Sequence, residues 1–210
     1  SSAPHHMGHE KEALACARTN IDAYMAEIDG EGLDAIIATA SGCGTTMKDY
    51  GFMLRADKAY AEKAALVSGK VRDISEFVHG IANLKATPRA ALRVAYHAPC
   101  SLQHGQKITR QPKELLSKLG FVVKDVPEAH VCCGSAGVYN LLQPELANRL
   151  RERKITNIET TKPDVIAAGN LGCMMQIAAG TEIPVVHPSE LADWATGGSA
   201  PAAMERPGNG

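Results

Sequence analysis

Two adjacent cysteines, Cys132 and Cys133, lie in a glycine-containing segment that reads Val-Cys-Cys-Gly-Ser-Ala-Gly from Val131 to Gly137. Neighbouring side chains on a strand point to opposite faces, so two adjacent packed cysteines are harder to explain than one. Glycine permits positive φ and a close approach of the backbone to another group. Soft thiolates beside such a backbone are typical of an iron–sulfur cluster or another thiophilic metal. Two half-buried thiols that only pack are the alternative.

Apolar runs alternate with helical patterns along the chain, and together they predict the elements that position these cysteines. Short continuous apolar runs predict buried strands at residues 35–38, 92–96, 121–123, 165–168 and 184–187. Apolar residues at helical spacing predict helices at about residues 10–28, 57–67, 71–81 and 112–119, and a further helix that opens at Pro144. This alternation favours an α/β fold with parallel strands.

Cysteines recur in the loops that leave the predicted strands. In parallel α/β sheets, ligands gather outside the carboxyl ends of the strands. The cysteines in such loops are Cys100, Cys132, Cys133 and Cys173. We therefore expect these four thiols to converge on one site, and four cysteines are the usual complement of a cubane cluster or a structural zinc ion.

The chain contains an internal repeat. The segment from Asp34 to Gly42-Cys43 aligns with the segment from Asp164 to Gly172-Cys173, and the step from Asp to Cys is nine positions in each. The alignment pairs Cys43 with Cys173 and predicts that both point into equivalent sites at strand ends. The partners of Cys43 would lie before Ser1, so we expect it to be a free thiol beside an incomplete pocket.

Composition excludes several classes of protein. The chain has 210 residues, and its 22 basic and 23 acidic side chains give a formal charge of −1. No charge block favours nucleic acid, and no apolar run approaches the roughly 20 residues of a membrane span. Six cysteines without a recognisable secretion signal indicate metal or redox chemistry in a cytoplasmic protein. No pair of residues has a spacing that demands hydrolytic chemistry.

The cysteine-containing segments carry a resemblance to a known family. The order of Cys100, the Cys132-Cys133-Gly134 motif and Cys173 resembles the cysteine-rich CCG domain family. Over about residues 3 to 196 the chain more closely resembles the C-terminal part of the iron–sulfur subunits of glycolate oxidases (glycolate dehydrogenases). The matching segments are Thr39-Ala40-Ser41-Gly42-Cys43-Gly44, Pro99-Cys100-Ser101-Leu102-Gln103-His104, Cys132-Cys133-Gly134-Ser135-Ala136-Gly137 and Asn170-Leu171-Gly172-Cys173.

The resemblance implies two tandem CCG-type α/β repeats, the first truncated at its N-terminus. It implies an iron–sulfur cluster, of the [4Fe-4S] type, with the metal ligands Cys100, Cys132, Cys133 and Cys173, and it adds Cys43 to the cofactor-binding residues. The implied function is electron transfer from flavin-containing partner subunits, which oxidise glycolate or another 2-hydroxy acid, towards the quinone pool or another acceptor. The fragment itself would not be catalytic. It would be cytoplasmic, with peripheral association at the inner face of the membrane.

The chain departs from the family pattern in two respects, and the second argues against a function of the heterodisulfide reductase type. The N-terminal ferredoxin-like segment of full-length members is absent, so we expect a fragment. Cys173 is followed by Met-Met-Gln, whereas heterodisulfide reductases continue as Cys-x-x-Cys. A catalytic thiol/disulfide subunit of the heterodisulfide reductase type and a structural zinc module are the alternatives.

The expected organisation has three parts. Residues 1–88 would hold the second half of a first CCG-type repeat with linker helices, 89–196 a complete second CCG-type domain, and 197–210 a disordered tail.

Cys16 lies at an apolar position of the first predicted helix and is expected to be buried in the core. For His97 and His104, which flank Cys100, hydrogen bonds within the loop are expected, and contact with a cluster is the alternative.

Overall fold

A computed structural model describes residues 4–5, 7–81, 84–87 and 91–205. The chain divides into two compact units, Ser1–Ile74 and Ser75–Gly210. The division therefore falls earlier than the expected boundary after residue 88. The physical reason is that Val78 and Leu84, which the sequence analysis assigned to the first part, pack against the core of the second unit.

The first unit, in its described part, combines helices with a two-stranded parallel sheet. Its elements are α1 (Glu10–Asp29), β1 (Ile36–Ala38), α2 (Ser41–Lys48), α3 (Tyr50–Met53), α4 (Ala61–Lys70) and β2 (Val71–Asp73), and α5 (Ile74–His79) begins at its end. The helix predicted for residues 71–81 is wrong at its start, because Val71 pairs with Ile36 in the sheet. The alternation of buried Val71, exposed Arg72 and buried Asp73 is the strand pattern that the prediction missed.

Helix α1 packs through a stripe of small and branched residues, Ala13, Ala17 and Ile21, which are fully buried. Cys16 is exposed, so the prediction that it belongs to the core is wrong. Successive helical residues lie about 100° apart around the axis, and Ala17 takes the inward direction.

The second unit, in its described part, is built on a four-stranded parallel sheet of order β4-β3-β5-β6. Its elements are β3 (Arg93–His97), a π-helical turn (Ser101–Gly105), α6 (Gln111–Lys118), β4 (Val122–Lys124), α7 (Tyr139–Leu142), α8 (Pro144–Glu159), β5 (Val165–Ala168), α9 (Leu171–Ala178), β6 (Val185–Val186), α10 (Pro188–Ala195) and α11 (Ala202–Glu205). The predicted α/β class with parallel strands is confirmed. Among the described residues, no helix combines the length and the apolar character needed to span a bilayer.

The two faces of this sheet carry different cores. Val94 and Tyr96 of β3 point to the face of the sheet that α6 and α10 cover. Ala95 points to the opposite face, where it packs in a separate core cluster with Ile158 of α8 and Ile177 of α9. Side chains on a strand alternate, so His97 lies on the same face as Ala95. The strand thereby directs His97 to the side of the sheet where the cysteines lie.

Strands β3 and β5 are joined at their start by an ion pair. The Arg93 backbone N–H and guanidinium both donate to Asp164, at 2.7 Å each to Oδ2 and Oδ1. The guanidinium holds the pKa of the Asp164 carboxyl down at about 2. A folded-state pKa below the unfolded value of about 3.9 contributes stability above that value, which is lost as the pH falls towards 2.

Asp164→Asn should therefore flatten the acid limb of the stability profile. The variant should unfold at a lower temperature than the parent at pH 7, and the difference should shrink as the pH falls from about 4 to 2. Thermal unfolding followed by circular dichroism across this range measures both effects. Asp125→Asn is the control, because among the described residues Asp125 pairs with Lys113 alone, and its side chain is 86% exposed. A parent and an Asp164→Asn variant with parallel acid limbs would contradict the assignment.

The C-terminal segment continues the packed structure of the second unit. The predicted tail at residues 197–210 is wrong where it is described, because α11 follows the buried Pro201. Ala203 and Met204 of this helix pack against the core of the second unit. The prediction for residues 206–210 falls outside the described residues.

Candidate metal centre

Three strand ends of the second unit carry cysteines to one place. Cys100 precedes the π-helical turn after β3, Cys132 and Cys133 follow β4, and Cys173 lies in the first turn of α9, after β5. Hydrogen bonds connect Cys100 to Cys132, Cys132 to Cys133, and Cys133 to Cys173. The structure therefore brings the four cysteines together in one connected row. The row lies at the carboxyl edge of the sheet, where the chain order reverses about β3.

His97 extends this row. One of its ring nitrogens and the Sγ atoms of Cys133 and Cys173 all lie within 4.8 Å of one another. The side chain is 2% exposed, and its Nε2 has no hydrogen-bond partner among the described residues. Buried polar atoms are nearly always satisfied, so the unpartnered Nε2 of a ring that lies next to Cys133 and Cys173 indicates a site for a further group.

The four thiols differ in their pKa values. Hydrogen bonds from Cys100 and Cys133 lower the pKa of Cys132, and the backbone N–H of Gly134 adds a third at 3.3 Å. The pKa values of Cys100 and Cys133 are raised, in both chiefly by the hydrogen bond to Cys132. Cys173 has its pKa lowered to about 5, first by Cys133 and then by His97. Two of the four pKa values are therefore raised and two are lowered, and metal binding would displace the protons that remain.

The start of α9 favours the thiolate of Cys173. The Asn170 side chain caps this helix and accepts hydrogen bonds from Gly172 N at 3.0 Å and Cys173 N at 3.4 Å. The partial positive charge of a helix N-terminus lowers the pKa of a nearby cysteine. Asn170, which caps the helix, and Cys173 therefore lie three residues apart in the same turn.

Two glycines allow the Cys-Cys loop to approach its neighbours. Gly134 has φ +96°, and a Cβ there would come within 3.0 Å of the carbonyl oxygen of Ala147 on α8. A Cβ at Gly172 would lie 2.7 Å from the Ser135 hydroxyl. Gln176 of α9 completes the contact by donating to the same Ala147 oxygen at 3.4 Å. The glycines in both motifs are therefore required by close packing between the loop, α8 and α9.

Helix α8 anchors the segment that leads into the Cys-Cys loop. The carboxylate of Glu128 accepts hydrogen bonds from Arg153 and Asn157, each at 2.8 Å. Lys154, between them, donates to the backbone oxygen of Glu128 at 2.8 Å and is only 1% exposed. Sequence analysis missed Lys154. The signal was present in the pattern, since Lys154 shares a buried helical stripe with Ala147 and Ile158.

The remaining cysteines lie in the first unit. Cys43 is the third residue of α2, and Cys173 is the third residue of α9. Each of these helices follows the strand of its own copy of the internal repeat, β1 in the first copy and β5 in the second. Cys43 is exposed, as Cys16 is. The described part of the chain holds one group of three or more close His, Cys, Asp or Glu donors, formed by His97, Cys133 and Cys173, and Cys43 is outside it.

The donor set fits a soft metal ion or an iron–sulfur cluster. Four thiols, two of them with lowered pKa values, and the imidazole of His97 lie close together. Thiolate and imidazole ligands select zinc, copper or iron–sulfur clusters over magnesium or calcium.

Comparisons with known proteins agree with this donor set. The cysteine-rich domain (CCG) family model matches residues 1–48 and 94–178. The chain is 41% identical over 191 residues to the glycolate oxidase iron–sulfur subunit of Escherichia coli K12, covering 91% of this chain and 47% of that protein. It is 30% identical over 183 residues to the probable glycolate oxidase iron–sulfur subunit of Bacillus subtilis 168, covering 84% of this chain and 40% of that protein.

More distant similarity extends to another group. The chain is 23% identical over 191 residues to lactate utilization protein A of Bacillus licheniformis, covering 88% of this chain and 78% of that protein. The chain thus spans about half the length of the two glycolate oxidase subunits and most of the shorter relative. Each of the two segments matched by the family model contains one copy of the internal repeat.

Proposed function

The chain belongs to the cysteine-rich CCG domain family, and we propose that it is the cluster-carrying part of an iron–sulfur subunit that transfers electrons in a glycolate or related 2-hydroxy acid oxidase. The observation that carries the proposal is the row of four cysteines at the carboxyl edge of the sheet in the second unit. Flavin-containing partner subunits would oxidise the hydroxy acid. This chain would pass the electrons on towards the quinone pool or another acceptor, at the cytoplasmic face of the membrane.

The residues of the site would have different roles in binding a [4Fe-4S] cluster. Cys100, Cys132, Cys133 and Cys173 would bind it, and when bound it supplies one-electron transfer at a potential set by charge, hydrogen bonds and exposure. The Gly134 N–H donates to one ligand sulfur. Cys133 is buried and the other three cysteines are half-buried, so the centre is shielded from bulk water and still near the surface. That position suits electron exchange with a docked partner.

A structural zinc site is the second candidate. The specific observation in its favour is the spacing of His97, Cys133 and Cys173, whose ligand atoms fit within 4.8 Å. Structural zinc takes four sulfur or nitrogen ligands in a tetrahedron. A thiol/disulfide reductase has less support, because the Cys-x-x-Cys of heterodisulfide reductases is replaced by Cys-Met-Met-Gln at Cys173.

Anaerobic reconstitution tests these candidates and the number of clusters. We expect the protein to take up about four iron and about four sulfide ions per chain and to show visible absorption near 400 nm. A single cluster is expected because Cys43 is outside the described donor group. A colourless protein with one zinc ion would favour the structural site. About eight irons per chain would show that Cys43 takes part in a second centre.

A further inference from the structure

Helix α8 presents a lysine to the interior beside the cysteines. Lys154 is 1% exposed, and its ammonium donates to a single backbone oxygen, that of Glu128, at 2.8 Å. Within the described residues no carboxylate forms an ion pair with it, because the Glu128 carboxylate is engaged by Arg153 and Asn157. Burying an ammonium group without an opposite charge is strongly unfavourable. Among the described residues, the charge of this buried cation is therefore only partly compensated.

The helix that carries this lysine packs on the cysteines, because its residues Ile155 and Ile158 share one core cluster with Cys132, Cys133 and Cys173. Burial lowers the pKa of Lys154, and interaction with the thiolate forms of Cys100, Cys133 and Cys132 opposes this shift more strongly than Glu128 does. The influence is mutual, since the charge of Lys154 also lowers the pKa of Cys100. Metal binding would deprotonate the remaining thiols, so in the loaded site the cysteines would be anionic groups that interact with the ammonium.

We propose that Lys154 is a positioning residue whose buried positive charge balances the anionic centre held by the four cysteines and raises its reduction potential. This inference rests on the proposed function, in which those cysteines carry a cluster. Four thiolates around a dipositive ion or cluster core leave a net charge of about −2, and reduction makes it more negative. A fixed cation within the low-dielectric interior stabilises the more negative state more strongly.

Lys154→Met is the variant that tests this role, because methionine keeps most of the length and removes the charge. After anaerobic reconstitution, its midpoint potential, followed by absorption and electron paramagnetic resonance, should lie below that of the parent. Lys154→Arg, which keeps the charge, should restore the potential towards the parent value. A Lys154→Met potential equal to that of the parent would overturn the inference.

Arg153→Met is the matched control. It removes the hydrogen bonds of the neighbouring side chain to Glu128 and leaves the Lys154 charge in place. Its potential should match the parent. A shift as large as that of Lys154→Met would mean that displacement of the Glu128 segment, and not the buried charge, sets the potential.

Measurements on the metal-free protein separate this inference from the proposed function. Because the cation is poorly compensated without metal, apo Lys154→Met should unfold at a temperature no lower than the apo parent. Its affinity for Co²⁺, measured by thiolate-to-metal absorption, should fall by about tenfold or more. A parent that takes no cluster, together with this loss of Co²⁺ affinity, would refute the proposed function and support the charge role. Equal Co²⁺ affinities would overturn the charge role.

Discussion

Replacing Cys133 with serine should abolish cluster binding, measured as loss of iron, of sulfide and of the absorption near 400 nm after anaerobic reconstitution. Cys133 is 1% exposed and lies in the middle of the row, with hydrogen bonds to Cys132 and Cys173. A serine hydroxyl is a harder ligand with a much higher pKa than a thiol, so it binds cluster iron far more weakly than a thiolate does. The same loss is expected, one variant at a time, for serine at Cys100, Cys132 and Cys173.

Two matched variants make the result specific. Cys16→Ser and Cys43→Ser change exposed cysteines of the first unit that lie outside the described donor group, and both should retain the parent iron content. A Cys133→Ser protein with the full iron and sulfide content would contradict the assignment of four cysteine ligands. Loss of the cluster in Cys43→Ser would instead show that the aligned cysteine of the first unit is a ligand.

The placement of the cysteines could be predicted because it follows from local pattern. Short apolar runs predict buried parallel strands, and the carboxyl ends of such strands meet at one edge of the sheet. Cys100, Cys132 and Cys173 each follow a run of this kind, so their convergence required no knowledge of side-chain packing. The all-buried strand β5 is the clearest case, since each of its residues is apolar and buried.

The surroundings of the cysteines could not be predicted, because they depend on which face of each element turns inward. His97 is the last residue of β3, and only the pairing of that strand on both sides fixes its burial. Lysine is a residue type that usually lies on the solvent-exposed face of a helix, and the burial of Lys154 follows from the packing of α8 over the sheet. Strand β2 was missed for a related reason, since three residues that pair with β1 precede a helical pattern without a break.

The exposed cysteine on α1 shows the limit of periodicity. Leu14, Ala17 and Ile21 define an inward stripe, and a cysteine one residue from Ala17 falls within the error of such a pattern. A rotation of about 100° decides between core and solvent. Exposure therefore does not distinguish Cys16 from Cys43, because both side chains are exposed.

Gly134→Ala should be the most damaging change that leaves every cysteine in place. The glycine has φ +96°, and an added Cβ would come within 3.0 Å of the Ala147 carbonyl oxygen on α8. Because the obstacle is backbone, relief requires the Cys-Cys loop or α8 to move. We expect a loss of stability on the order of 3–5 kcal/mol, as for overpacking combined with strain at a positive φ. Thermal unfolding of the metal-free protein measures this loss, and iron analysis after reconstitution should show a depleted cluster.

Gly137→Ala separates the clash from the backbone conformation. Gly137 has φ +68° in the same loop, and nothing lies within 4 Å of the position of an added Cβ. Its cost should be limited to the left-handed conformation, about 1–2 kcal/mol, and it should reconstitute like the parent. Ala136 already adopts φ +37°, which shows that the loop accepts a Cβ at positive φ where space allows. If Gly134→Ala and Gly137→Ala lose equal stability and bind equal iron, close packing of the loop against α8 does not hold the cysteines in place.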